Sequence, residues 1–119
     1  QVFKTINDQY VGKVSLFRVY GGKITKNMTV YNTDKMANEK IGTIHTMCGK
    51  EKIDLETAVC GDICASSKLG ITGTNDTFSA ADKKYKLADI EFPKPVYTMA
   101  FAPVKRGEDE KMAQGLFKL

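Results

Sequence analysis

Short apolar runs broken by turn-forming residues dominate the first two thirds of the chain. "VFKTI", "KVSLFRVY", "KIT", "MTVYN", "KIGTIHTM" and "TAVCGDICAS" are rich in β-branched and aromatic side chains, and clusters of Gly, Asn, Asp and Lys separate them. No helical period of useful length occurs before residue 100, so residues 1–88 read as an all-β barrel or sandwich. Within "KVSLFRVY" the apolar parity changes: Val14 and Leu16 share one face, Phe17 and Val19 the other. Such a change predicts a bulge or bend, because a one-residue shift moves side chains to the opposite face. Gly21-Gly22 fits the positive φ values of a two-residue hairpin, which makes a compact basic hairpin of the flanking strands. Asn27 is the non-glycine residue that best tolerates left-handed backbone.

The pattern changes after residue 88. "FPKPV" sets two prolines at the start of an extended run. "VYTMAFAP" then alternates Val96, Thr98 and Ala100 against Tyr97, Met99 and Phe101, which predicts a strand over 95–102 that Pro103 ends. Residues 107–119 read as a helix, with Glu108, Asp109 and Glu110 favourable to the dipole in its first turn and Met112, Leu116 and Leu119 on one stripe. Gln1 is not an initiator residue, Val2 and Phe3 already read as strand, and Leu119 falls in mid-pattern. The expectation is therefore a piece of a longer protein: one domain over 1–88, then the first strand and helix of another over 89–119. Unpaired strands and exposed apolar stripes seek partners, so the tail is expected either to fold back on the first domain or, in preference, to pair with the same tail of a second molecule as a homodimer.

Composition narrows the class. A chain of 119 residues with 42% hydrophobic content can bury one core. Its longest near-apolar run, "VYTMAFA", is far short of the roughly 20 residues that cross a bilayer, and no signal peptide is visible, so no membrane partner is expected. The net charge of +4 is unevenly spread: nine basic against four acidic residues over 1–52, four against five over 53–88, five against five over 89–119. The stretch 11–32 carries Lys13, Arg18, Lys23 and Lys26 and no acid. Clustered Lys and Arg attract phosphate and release its counterions, which points to nucleic acid; a solvated Lys-rich face is the plainer reading.

Catalytic signatures are missing. A phosphate-binding loop needs G-x-x-x-x-G-K-[ST], and "VGKV", "GGKI" and "CGKE" all lack the hydroxyl residue after Lys. Asp34, Glu39, Asp54 and Glu56 read as loop and strand-edge charges with no partner for hydrolysis. His45, Cys48, Cys60 and Cys64 have zinc-like H-x2-C and C-x3-C spacing, but Cys60 and Cys64 would sit roughly 13 Å apart at strand rise unless Gly61-Asp62 turns sharply. Core packing of these thiols is the expectation, with no metal. Three cysteines, an odd number, fit a reducing cytoplasm.

Four segments in order carry a resemblance over the whole chain: "VFKTINDQYVGKVSLFRVYGGKITKNMTVYN", "IGTIHTM", "AVCGDICAS" and "EFPKPVYTMAFAPVKRGEDEKMAQGLFKL". Together they resemble the second domain and the start of the third in elongation factor G-like translational GTPases. Departures fall at Gly21 for the usual Ser, Asn27 for Gly, and Cys60 and Cys64 where Ala is common. The resemblance implies a closed β-barrel of the translation-factor type, followed by a truncated α+β domain. It implies docking on small-subunit ribosomal RNA and packing beside the parent's GTP-binding domain, with GTP and magnesium held there and no cofactor in this chain. The family's RNA-contacting loops map onto Tyr10, Lys13, Lys50 and Lys52. A ribosomal protection protein of the tetracycline-resistance type shares the layout. A free-standing RNA-binding barrel would instead expose stacking aromatics, whereas Phe17, Tyr20 and Tyr31 read as core.

Overall fold

Alternating side chains and β-branched residues make ten strands, which the computed structural model describes over residues 1–49 and 51–117. β1 (Val2–Asp8), β2 (Gly12–Arg18), β9 (Ile63–Ser67), β6 (Ile44–Cys48) and β7 (Glu51–Leu55) form a five-stranded antiparallel sheet in the order β1-β2-β9-β6-β7. β10 (Phe78–Ser79), β4 (Thr29–Asn32) and β5 (Ala37–Lys40) form a second sheet, β3 (Lys23–Thr25) and β8 (Thr57–Val59) a third. One apolar cluster fills the space between them, centred on Phe17, Ile41, Ile44 and Leu69, each at most 2% exposed. Phe17 meets Phe78 edge to face, ring centroids 5.8 Å apart. Burying each such side chain contributes roughly 1.5–3 kcal/mol.

The expected closed barrel is not formed: three sheets enclose the core and none closes on itself. Each of the three sheets ends in strands with a single neighbour, β1 and β7, β10 and β5, β3 and β8, so the circuit is open at these edges, among them the gap between β3 and β10. The Gly21-Gly22 hairpin is likewise corrected. β2 pairs with β1 and β9 while β3 pairs with β8, so Gly22, at φ 71°, turns the chain from one sheet to another. Asn27 does adopt left-handed backbone, at φ 62°. The irregularity expected inside β2 lies in the strand beside it. Val2 pairs with Phe17 and Lys4 with Leu16, so Phe3 is the extra residue of a bulge.

A buried polar network takes the place of a ladder at one end of the core. Asn32 donates to Thr72 Oγ1 (3.1 Å) and to Asp76 Oδ2 (2.9 Å), while its own carbonyl accepts the amides of Asp34 and Lys35. Thr72 donates to Glu39, which also takes the Ile71 amide at 3.0 Å. Glu39 and Asp76 are 9% and 5% exposed, so Glu39 is an interior anchor and not a strand-edge charge. Asp34 is also structural: it accepts the Thr77 amide and pairs with Lys86, both at 2.8 Å.

Residues 83–90 are strapped to the β-structure. Thr33 donates to the Tyr85 carbonyl (2.9 Å), the Leu87 amide to Thr77 (3.3 Å) and the Ile90 amide to Asn75 (2.8 Å), and the Gln1 side chain bonds the Ala88 carbonyl (2.9 Å). Beyond Ile90 the expected strand over 95–102 is absent. Among the described residues no strand pairs with it, and Val96, Tyr97, Met99 and Phe101 are 99%, 77%, 61% and 62% exposed. A helix, α1 (Asp109–Leu116), follows with Asp109 and Glu110 in its first turn. Leu119 lies outside the described residues.

Candidate nucleic-acid interface

The β1–β2 turn is built by Asp8, whose Oδ1 accepts the amides of Tyr10 and Val11, both at 2.9 Å. Gly12, at φ 81°, completes the reversal, and Tyr10 projects 94% exposed. Those two amides, aided by Lys52, hold the Asp8 carboxyl below the usual carboxylate range. The turn therefore carries a fixed negative charge beside an open aromatic ring. Lys52 reaches it from β7, its Nζ 3.9 Å from Asp8 Oδ2. β1 and β7 are the two opposite edge strands of the five-stranded sheet, and the Asp8–Lys52 pair brings the β1–β2 turn that carries Tyr10 up to β7.

The other two candidates stand differently. Lys13 shares the inward face of β2 with Ser15 and Phe17, and its ammonium donates to the Thr72 carbonyl at the polar end of the core. Its charge tethers the 69–77 loop. Lys50 lies outside the described residues.

One polar residue of the neighbouring strand β6 was singled out in the sequence only for its metal-like spacing. His45 pairs across the sheet with Ala65 and Asp54, is 5% exposed, and its Nε2 has no partner. Burial lowers its pKa first and Lys52 lowers it further, against the pull of Asp54. The imidazole is neutral at neutral pH. Ser15 and Ser66, facing each other across β2 and β9, also leave their hydroxyls unpaired.

The cysteines separate. Gly61, at φ 101°, breaks "TAVCGDICAS" into β8 and β9, so Cys64 enters the core while Cys60 stays exposed, its thiol directed at the Tyr20 carbonyl (3.1 Å). Core packing thus holds for Cys64 alone. Burial, with Asp62 secondary, pushes the Cys64 thiol pKa up. Cys48 is exposed, and among the described residues no group of three or more His, Cys, Asp or Glu is gathered to hold a metal ion. Among the same residues no helix is long and apolar enough to cross a membrane. Tyr20, read as core, is 54% exposed because the chain turns away from the sheet directly after it.

Residues 1–81 match the family model described as elongation factor G domain 2. The chain belongs to the elongation factor G domain 2 family. Its curated relatives include elongation factor G of Orientia tsutsugamushi, strains Boryong and Ikeda, each 40% identical over 117 residues that cover 98% of this chain. The domain 2 chain spans 17% of the length of those relatives. A crystal structure from Thermus thermophilus superposes with a TM-score of 0.80 at 20% identity, over 99% of this chain and 18% of that one, which is agreement in fold.

Proposed function

We propose that this chain is the second domain of an elongation factor G-type translational GTPase and that it docks the factor on small-subunit ribosomal RNA. The domain 2 family match over residues 1–81 carries the reading. Support at the level of residues comes from the turn with exposed Tyr10, whose Asp8 meets Lys52 of β7, within the half of the chain that holds nine basic against four acidic residues. Lysine and arginine contacts of this kind fix position on the phosphate backbone without reading sequence. GTP and magnesium belong, in this reading, to a neighbouring GTP-binding domain against which the β-structure packs, in the cytoplasm where translation runs. The exposed run from Val96 to Val104 belongs to the domain that follows. Filter binding to a small-subunit ribosomal RNA fragment tests the proposal. Affinity should fall steeply as salt rises, and Lys50→Glu with Lys52→Glu should weaken it more than Lys94→Glu with Lys105→Glu. Absence of binding at low salt, or binding indifferent to salt, refutes it.

A further inference from the structure

The open junction between β3 and β10 has a consequence for binding. Gly21, Gly22, Met28, Val30, Phe78 and Tyr85 line a groove of about 410 Å³ there, with Lys23 and Lys83 also on its wall. A smaller cavity of about 30 Å³ shares Gly21, Phe78 and Tyr85 and is bordered by Arg18 and Tyr20. This region lies at the opposite end of β2 from Tyr10.

Its chemistry is specific. No carboxylate lines the groove, and nearby Asp82 is not among its wall residues. Arg18, Lys23, Lys83 and Lys84 belong to none of the ion pairs of the described residues. Two of them lie over aromatic faces instead: Arg18 5.5 Å from the Tyr20 centroid, Lys84 4.1 Å from that of Tyr31. Tyr20 and Tyr85 are 54% and 47% exposed, so both rings present surface to solvent. The lip is bare backbone, since a Cβ on Gly21 or Gly22 would meet nothing within 4 Å. Recessed apolar floor, open tyrosines and unpaired cations together suit an unpaired nucleobase that stacks while its flanking phosphates meet the lysines. A duplex cannot put a base into such a recess without opening. The size falls at the lower end of small-molecule sites, roughly 300–1,000 Å³.

We infer that this groove is a second RNA-binding site, one that takes an unpaired stretch of RNA. The inference rests on the RNA-docking reading above, but on a different face and a different form of RNA. Fluorescence anisotropy of labelled single-stranded oligouridylate against labelled duplex RNA, on this chain at low salt, tests it. Tyr85→Ala should weaken single-strand binding by about 5- to 100-fold with the salt slope unchanged, whereas Tyr85→Phe should bind as the unaltered chain does. Lys23→Glu with Lys83→Glu should weaken it and reduce the salt slope by roughly 1.4, the share of two phosphates on a single strand. Lys40→Glu with Lys68→Glu, an equal charge change on residues that do not line the groove, should do much less. Circular dichroism verifies that each variant folds. Equal binding by all variants, or a preference for duplex, overturns the groove while leaving small-subunit RNA binding through Tyr10 and Lys52 standing. Failure to bind any RNA overturns both.

Discussion

Replacing Glu39 by Ala should be among the most damaging single changes of a charged residue in this domain. The carboxylate is 9% exposed and accepts the Ile71 amide and the Thr72 hydroxyl. Each buried donor left without a partner costs about 1–3 kcal/mol, so the pair should cost about 2–4 kcal/mol once water relieves part of the loss. A domain of some 90 residues has about 5–13 kcal/mol of total stability, so this is a large fraction of it. With a urea slope of about 1 kcal/mol/M, the midpoint should fall by about 2–4 M. Circular dichroism in a urea series measures that shift. Glu39→Gln, which keeps one acceptor, should lie between Glu39→Ala and the unaltered chain. Glu56→Ala is the control: its side chain is 83% exposed and paired with Lys26, so the midpoint should barely move. If Glu39→Ala shifts the midpoint no further than Glu56→Ala does, the network is surface decoration and its structural role is wrong.

Two further measurements follow from single residues. His45 is buried neutral with a lowered pKa, so below its ordinary value of about 6.5 the unfolded chain takes up a proton before the folded one does. Stability should fall from pH 7 downward through that window, His45→Gln should flatten the fall, and an imidazole NMR midpoint at or above 6.5 would contradict the burial argument. Thiol labelling of the folded protein should modify Cys48 and Cys60 fast and Cys64 only on unfolding; three equal rates would mean that the β8–β9 turn is misplaced.

Strands whose side chains announce them were legible in the sequence, and those whose partners define them were not. Apolar alternation found β1, β2 and β4, but β5 ("ANEK") and β7 ("EKIDL") are polar or charged and hold their place through ladders to β4 and β6. The run over 95–102 has the composition of a strand and lacks a neighbour, so it is not one. Gly21-Gly22 is right for a tight turn, yet turn chemistry does not say which strand the chain joins next. The same limit governs the site. Tyr10 and Lys52 meet through Asp8, which local spacing does not reveal, and Lys13 is committed to a carbonyl 59 residues away. Glu39 looked like an edge charge because its partners lie more than 30 residues downstream.

The strap over residues 83–90 also sets how this module carries load. The Gln1 side chain grips both Asn75 and the Ala88 carbonyl, and Ile90 returns a bond to Asn75, so residues 1 and 90 are moored to one anchorage. Tension applied between those residues is taken in shear by these short bonds and by Lys86, held between Asp34 and Asp89. Residue 1 is also bonded to Arg18 of β2 through its own amine and carbonyl, at 3.0 and 2.9 Å, so a pull applied there divides between the strap and the five-stranded sheet.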